Sequence, residues 1–127
     1  MSTVTLTQQA VTSLTPEEFA VAADDPRTVL IDLREADERV ASGSIADAVH
    51  VPRGLLEFRA DPTHAAHDPR LRPDARVLLY CSDGARSTLA GISLRTLGYT
   101  DVAQLHGGLA AWDTARFPVV GRLTSPY

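Results

Sequence analysis

A single cysteine, Cys81, ends an apolar run in the stretch YCSDGARST, residues 80–88, and is followed by Gly84, Arg86 and Ser87. Such a thiol does chemistry only as the thiolate, and at an unperturbed pKa of ~8.5 only a few per cent is ionised at neutral pH. Two features of the stretch favour ionisation. Gly84 permits the positive φ of a tight loop. A loop curled onto a helix N-terminus turns several backbone N–H groups to one point, a cradle suited to a thiolate, a persulfide or a sulfur oxyanion. Arg86 and the helix dipole act in the same direction. Asp83 acts against it if its carboxylate faces the sulfur, but N–H groups in contact outweigh a carboxylate that can turn to water. The alternative is a packing thiol, since free cysteine is among the most buried residue types. The residues alone leave both open.

The elements around the loop follow from local pattern. TPEE at 15–18 starts a helix, with Thr15 as cap, Pro16 at the first helical position and Glu18 closing a capping box; it stops near Ala23 before DDP. TVLIDLR at 28–34 and RVLLYC at 76–81 are short, nearly continuous apolar runs, as in strands buried on both faces. EADERVAS forms a short helix ending at Gly43, AVHVP at 48–52 a short strand, and LLEF a helical turn. Residues 59–76 are rich in Pro, His and Asp and read as irregular. From Arg86, Leu89, Ile92, Leu94 and Leu97 mark the apolar face of a helix capped by Gly98. DVAQL is a further strand and GLAAWDTA a last helix. This alternation predicts an α/β domain, a mainly parallel central sheet with helices on both faces. Residues 1–13 read as an N-terminal extension and 14–127 as one domain. In such sheets ligands bind outside the carboxyl ends of the strands, where Cys81 stands.

Composition narrows the classes. The 127 residues are 44% hydrophobic and 22% charged, with a net charge of −4. That charge provides no basic footprint for nucleic acid or anionic lipid, so neither is an expected partner. MSTVTLTQQAVTSLT lacks the positive n-region and long apolar core of a secretion signal. One cysteine makes no internal disulfide, and a cytoplasmic address is the expectation.

Four stretches, taken in order, resemble the rhodanese (sulfurtransferase) domain from about Leu14 to Val120. LIDLREADE resembles its D-x-R-E strand end, and SGSIADAVHVPRG its G-H-I-P-G-A-x-x-I-P segment. LLYCSDGARS resembles the C-x-x-G-x-R-S active-site loop, and GYTDVAQLHGGLAAW the G-Y-x-x-V-x-x-L-x-G-G-x-x-A-W ending. The resemblance implies a sulfurtransferase that takes a sulfane sulfur from a small donor (thiosulfate, mercaptopyruvate or a thiol persulfide) as a Cys81 persulfide. The sulfur then passes to cyanide, a thiol or a sulfur-accepting protein. Cys81 is then the nucleophile, and Ser82, Asp83, Gly84, Ala85, Arg86 and Ser87 form the persulfide-binding loop. Arg86 either holds an anionic donor or braces the loop, and no metal or organic cofactor is required. A non-enzymatic binding or sulfur-carrier module is the alternative. A phosphatase or arsenate-reductase activity is less favoured, because related phosphatases use a longer C-x5-R loop and Ser87 stands at that arginine's position. The sequence departs from the family at Ser44, at Ala46-Asp47 in place of Pro-Gly, and at Arg116 where glycine is frequent. Ser82, where thiosulfate-using members often carry a cation, weakens thiosulfate as the donor together with Asp83.

Beyond the loop, Asp32, Arg34 and Glu35 are assigned a supporting structural role, the alternatives being helix caps and a surface ion pair. Arg53 is either an anion-attracting residue at the mouth or a solvated charge. His64, His67 and Asp68 are a poor zinc set, with three-residue spacing in a Pro-rich loop and no fourth ligand. His106 is read as loop structure and Trp112 as core.

Overall fold

The computed structural model describes residues 11–122. Five parallel strands form one sheet: β1 (Thr12–Leu14), β2 (Thr28–Asp32), β3 (Val49–His50), β4 (Arg76–Tyr80) and β5 (Asp101–Leu105), in the order β1-β5-β4-β2-β3. The helices are α1 (Pro16–Ala23), α2 (Ala36–Ser42), α3 (Leu56–Ala60, after a 3-10 turn at Arg53–Leu55), α4 (Ala85–Thr96) and α5 (Gly108–Thr114). The expected α/β architecture is the one observed. The first strand begins at Thr12, ahead of the boundary at 14 read from sequence, and residues 1–10 of the expected extension lie outside the described residues.

Alternation along β4 explains why its sequence is apolar throughout. Val77, Leu79 and Cys81 face α3 and α4 in a core with Leu56, Ala90 and Leu94. Leu78 and Tyr80 face α1 and α5 in a second core with Phe19, Leu109 and Trp112. Both faces of the sheet are covered, so the central strands β2 and β4 do not alternate with polar residues. Trp112 packs edge-on to Phe19 at 6.1 Å and donates from Nε1 to Pro118 O at 2.9 Å.

The α4 face keeps Leu94, Ile92 and Leu97 of the expected stripe against the core, but Leu89 is 61% exposed and Ser87, Ala90 and Gly91 are buried in addition. Gly91 is the reason: a Cβ there would stand 2.4 Å from Val11 Cγ2, so the helix packs closest along a small-residue line that a hydrophobicity pattern misses.

Strand order reverses between β2 and β4, and the crevice outside their carboxyl ends is the switch point of the sheet. A buried polar assembly stands beneath it. Asp32 accepts from Arg34 N at 2.9 Å, Arg34 Nε at 3.1 Å, Arg34 Nη2 at 3.0 Å and Tyr80 Oη at 2.7 Å. Arg34 also donates to Ser42 Oγ at 2.7 Å and to Gly43 O. Arg34 is therefore fully buried, not a surface ion pair, and Asp32 holds Arg34 and Tyr80 rather than capping α2. Burial opposes the charge on Arg34, but the Asp32 carboxylate outweighs it and holds the guanidinium above its usual range. Burial, with the Asp32 charge, pushes the Tyr80 phenol up, so it remains a donor.

Tyr80 Oη also accepts from Ile45 N at 3.0 Å. Tyr80→Phe keeps the ring but leaves the buried Ile45 N–H and one Asp32 lone pair without their partner. The expected loss is about 1–3 kcal/mol of unfolding free energy, measured as a lower urea midpoint with an unchanged m value.

Candidate active site

Cys81 follows Tyr80 directly and is fully buried. Its Sγ accepts from Gly84 N at 3.1 Å and lies 3.6 Å from Ser87 Oγ. Gly84 has φ +104°, the left-handed conformation that lets the chain turn its N–H back onto the sulfur. Ala85 begins α4, and the N–H groups of Arg86 and Ser87 in its first turn have no partner among the described residues. They stay free for an anion. Asp83 is exposed, and its Oδ1 accepts from Ala85 N at 3.0 Å. The carboxylate feared as an opponent of the thiolate thus closes the loop's own turn.

Arg86 braces the loop. Nη1 donates to Glu38 Oε1 and Nη2 to Glu38 Oε2, each at 2.7 Å, a bidentate fork. Ser82 Oγ donates to Glu38 Oε2 at 2.7 Å and accepts from Arg86 Nη2 at 3.2 Å. Glu35 caps α2 through its backbone, its N–H reaching Glu38 Oε1 at 2.9 Å. Glu38 thus takes donors from its own helix and from the loop. The Arg86 guanidinium beside it holds its carboxyl down at about 2, and the same pair raises Arg86. Glu38 was not legible as a site residue. Its only sequence signal was an acidic side chain in the first turn of the helix after D-x-R.

The loop is also held from behind. Leu109 N donates to Cys81 O at 2.8 Å and Ala110 N to Ser82 O at 3.1 Å. This requires backbone against backbone at Gly108, where a Cβ would stand 2.6 Å from Cys81 O and 2.7 Å from Asp83 N. Gln104 on β5 is the other residue the sequence did not single out. Its Oε1 lies 2.7 Å from Ser87 Oγ and 3.0 Å from Thr88 Oγ1. A polar residue within the apolar strand DVAQL was its signal. Gln104 lines a cavity beside the loop with Ser13, Asp83, Gly84, Thr88 and His106.

Arg53 is not brought to the sulfur. It donates to Glu57 at 2.9 and 3.0 Å and to Ser93 Oγ at 3.2 Å. Ser93 is eight residues beyond the start of α4, roughly 12 Å along its axis. His64 Nδ1 accepts from Ala66 N, His67 Nε2 donates to Leu71 O, and Asp68 pairs with Arg70, so each is engaged locally. His106 Nδ1 lies 3.4 Å from Ser13 Oγ, at the rim of the cavity.

Gly108→Ala should displace the loop, lowering the rate of Cys81 alkylation at fixed pH and the melting temperature together. Gly98→Ala, at φ +97° with open space around it, is the control, with a cost of about 1–2 kcal/mol and no effect at Cys81. Glu38→Gln should lower stability at neutral pH by roughly 1–2 kcal/mol, the lower part of the range for charged hydrogen bonds because solvent partly screens the pair. The folded carboxyl titrates below its usual 4.5, so its contribution is present above that value and is lost as pH falls toward 2. Urea titrations of wild type and variant should therefore converge across that window.

The geometry has counterparts in known proteins. The Rhodanese-like domain family model matches residues 15–115. A sulfurtransferase of Allochromatium vinosum is 35% identical over 98 residues, covering 77% of this chain and 83% of that protein. tRNA uridine(34) hydroxylases of Staphylococcus aureus are 35% identical over 99 residues, but the match spans only 30% of their length. Among solved structures, a Rhodopseudomonas palustris protein described as a possible tyrosine phosphatase superposes with a TM-score of 0.84 at 29% identity, covering 89% of this chain and 87% of that one. The polysulfide-sulfur transferase of Wolinella succinogenes superposes with a TM-score of 0.76 at 26% identity, covering 98% and 88%. With a family model over most of its length and a relative of this similarity, the chain belongs to the rhodanese-like domain family.

Proposed function

We propose that this protein is a sulfurtransferase that carries a sulfane sulfur as a Cys81 persulfide, taken from a thiol persulfide and passed to a thiol acceptor. The observation that supports it most directly is the Cys81 sulfur receiving the Gly84 N–H inside a six-residue loop with further unpaired N–H groups. Donors of this kind stabilise negative charge on sulfur without a metal. In the first half-reaction the Cys81 thiolate attacks the outer sulfur of R–S–SH. The S–S bond breaks, its electron pair leaves on RS⁻, and Cys81 keeps the outer sulfur. In the second, an acceptor thiolate attacks that sulfur and the electron pair returns to Cys81 Sγ. No second cysteine is in the chain, so the acceptor comes from outside.

Charge favours the donor class. Arg86 is forked onto Glu38, Arg53 is paired with Glu57 through Nη1, and Arg34 is buried against Asp32. The exposed charge nearest the cradle is the Asp83 carboxylate. A thiosulfate dianion would meet no unengaged guanidinium among these three, whereas a thiol persulfide needs none; mercaptopyruvate, with one carboxylate, falls between. Phosphoryl or arsenate transfer is disfavoured on the same ground, since a guanidinium fork is the bidentate partner of such a dianion and this one is filled.

Intact-mass spectrometry after separate incubation with glutathione persulfide, mercaptopyruvate and thiosulfate tests the proposal. The expected result is one added sulfur atom, formed several-fold faster from glutathione persulfide than from thiosulfate, removed by dithiothreitol or cyanide and absent in Cys81→Ala. Thiosulfate as the fastest donor would overturn the donor assignment. Failure of every donor would leave a binding module and overturn the enzyme.

A further inference from the structure

One fixed arrangement of protons around Ser87 does not serve both the neutral and the anionic form of the Cys81 sulfur. Ser87 Oγ lies 3.6 Å from Cys81 Sγ, 3.0 Å from Gly84 O and 2.7 Å from Gln104 Oε1. Thr88 Oγ1 lies 3.1 Å from Gly84 O and 3.0 Å from the same Gln104 Oε1. Gly84 O already takes the Thr88 N–H at 3.3 Å, but the 2.7 Å contact between Ser87 Oγ and Gln104 Oε1 needs a proton between the two oxygens, and the amide oxygen has none to give. The Ser87 proton is so used, none is left for the sulfur, and Ser87 meets it only as an acceptor. That arrangement suits a neutral S–H, which donates to Ser87 Oγ. It does not suit a thiolate, which needs Ser87 as a donor.

Turning the Gln104 amide end for end resolves this, exchanging Oε1 and Nε2 with every other heavy atom in place. Its two Nε2 protons then go to Ser87 Oγ and Thr88 Oγ1. Thr88 donates to Gly84 O, and Ser87 is released to donate to the sulfur. Each state leaves Ser87 Oγ, Thr88 Oγ1 and Gly84 O with partners, and Gln104 also lines the cavity beside the loop. We propose that Gln104 is a positioning residue for the sulfur, its amide turning over as Cys81 passes between neutral and anionic forms. The thiol proton leaves to solvent. In sulfur transfer the same turn serves the moment when the S–S bond breaks and its electron pair returns to Sγ, a use that rests on the sulfurtransferase proposal.

Other charges near the sulfur are Asp83 and Arg86 on the loop, Glu38 from α2 and His106 after β5; the α3 and α5 residues packed on it are apolar or backbone. None is changed by substitution at 104. Cys81 alkylation by iodoacetamide against pH reads the sulfur directly, whether or not sulfur transfer occurs, so its failure is distinct from failure of the function. Gln104→Glu supplies an acceptor that cannot turn into a donor. It should raise the pH of half-maximal alkylation by about one unit, a tenfold loss of thiolate at a given pH. In the Ser87→Ala background the rise should fall to less than half, because the through-space charge remains while the hydroxyl route is gone. Gln104→Met, neutral and unbranched, should give a smaller rise that disappears with Ser87→Ala. Equal shifts with and without Ser87, or no shift for Gln104→Glu, would overturn the proposal.

Discussion

The fork between Arg86 and Glu38 joins the two sides of the sheet's switch point, and the shape of the site depends on it. Glu38 belongs to the connection after β2 and Arg86 to the one after β4, strands that lie side by side with their carboxyl ends level, Asp32 opposite Tyr80. A parallel sheet alone leaves these two connections free to splay apart. Two short charge-assisted hydrogen bonds, with Ser82 bonded to both partners, remove that freedom. Exposed ion pairs contribute little, but this one is partly shielded, bidentate and linked to a third group, the conditions under which geometry is specified.

Rigidity below and behind the loop completes the arrangement. Asp32, Arg34 and Tyr80 fill one another's hydrogen-bonding capacity under the strand ends. Buried charges of this kind are weak evidence for stability, but they fix where β2 and β4 finish. From behind, the start of α5 approaches the loop so closely that two of the loop's carbonyls are bonded to α5 amides. A buried sulfur that receives a backbone N–H at 3.1 Å tolerates little movement of that backbone, and these supports supply the constraint.

Local signals were legible and long-range ones were not. Thr15, Pro16 and Glu18 marked the start of α1 because a capping box is written in four consecutive residues. The Cys81–Ser87 stretch marked a tight loop onto a helix start because strand end, glycine and helix start are contiguous, and there the Gly84 N–H meets the sulfur. Glu38 and Gln104 act across 48 and 17 residues of sequence, and only the strand order reveals them. On α4 only Leu89 was misplaced, because Gly91 contributes close approach rather than hydrophobicity, and Arg53, left open between the mouth and solvent, is held by Glu57 and Ser93. Two departures from the family pattern have a backbone meaning. Asp47 and Arg116 have φ of +67° and +66° at positions where the family uses or favours glycine. Aspartate enters the left-handed region with modest cost, whereas at Arg116 the strain is borne without that relief.

Loop length then bears on chemistry through what is left facing the sulfur. A guanidinium with both N–H edges available gives a phosphoryl dianion its bidentate partner. Here the only arginine of the loop has its fork filled by a carboxylate, and the next residue, Ser87, is turned inward between the sulfur and Gln104. The groups that remain are backbone N–H dipoles and one hydroxyl. Fixed dipoles stabilise a single, diffuse negative charge without importing a counter-ion, and they do so for a thiolate and for the outer sulfur of a persulfide alike. They offer little to a second charge. A cradle of neutral donors with its cation already paired is therefore matched to sulfur in both halves of a transfer cycle, and that match follows from Glu38 as much as from the cysteine.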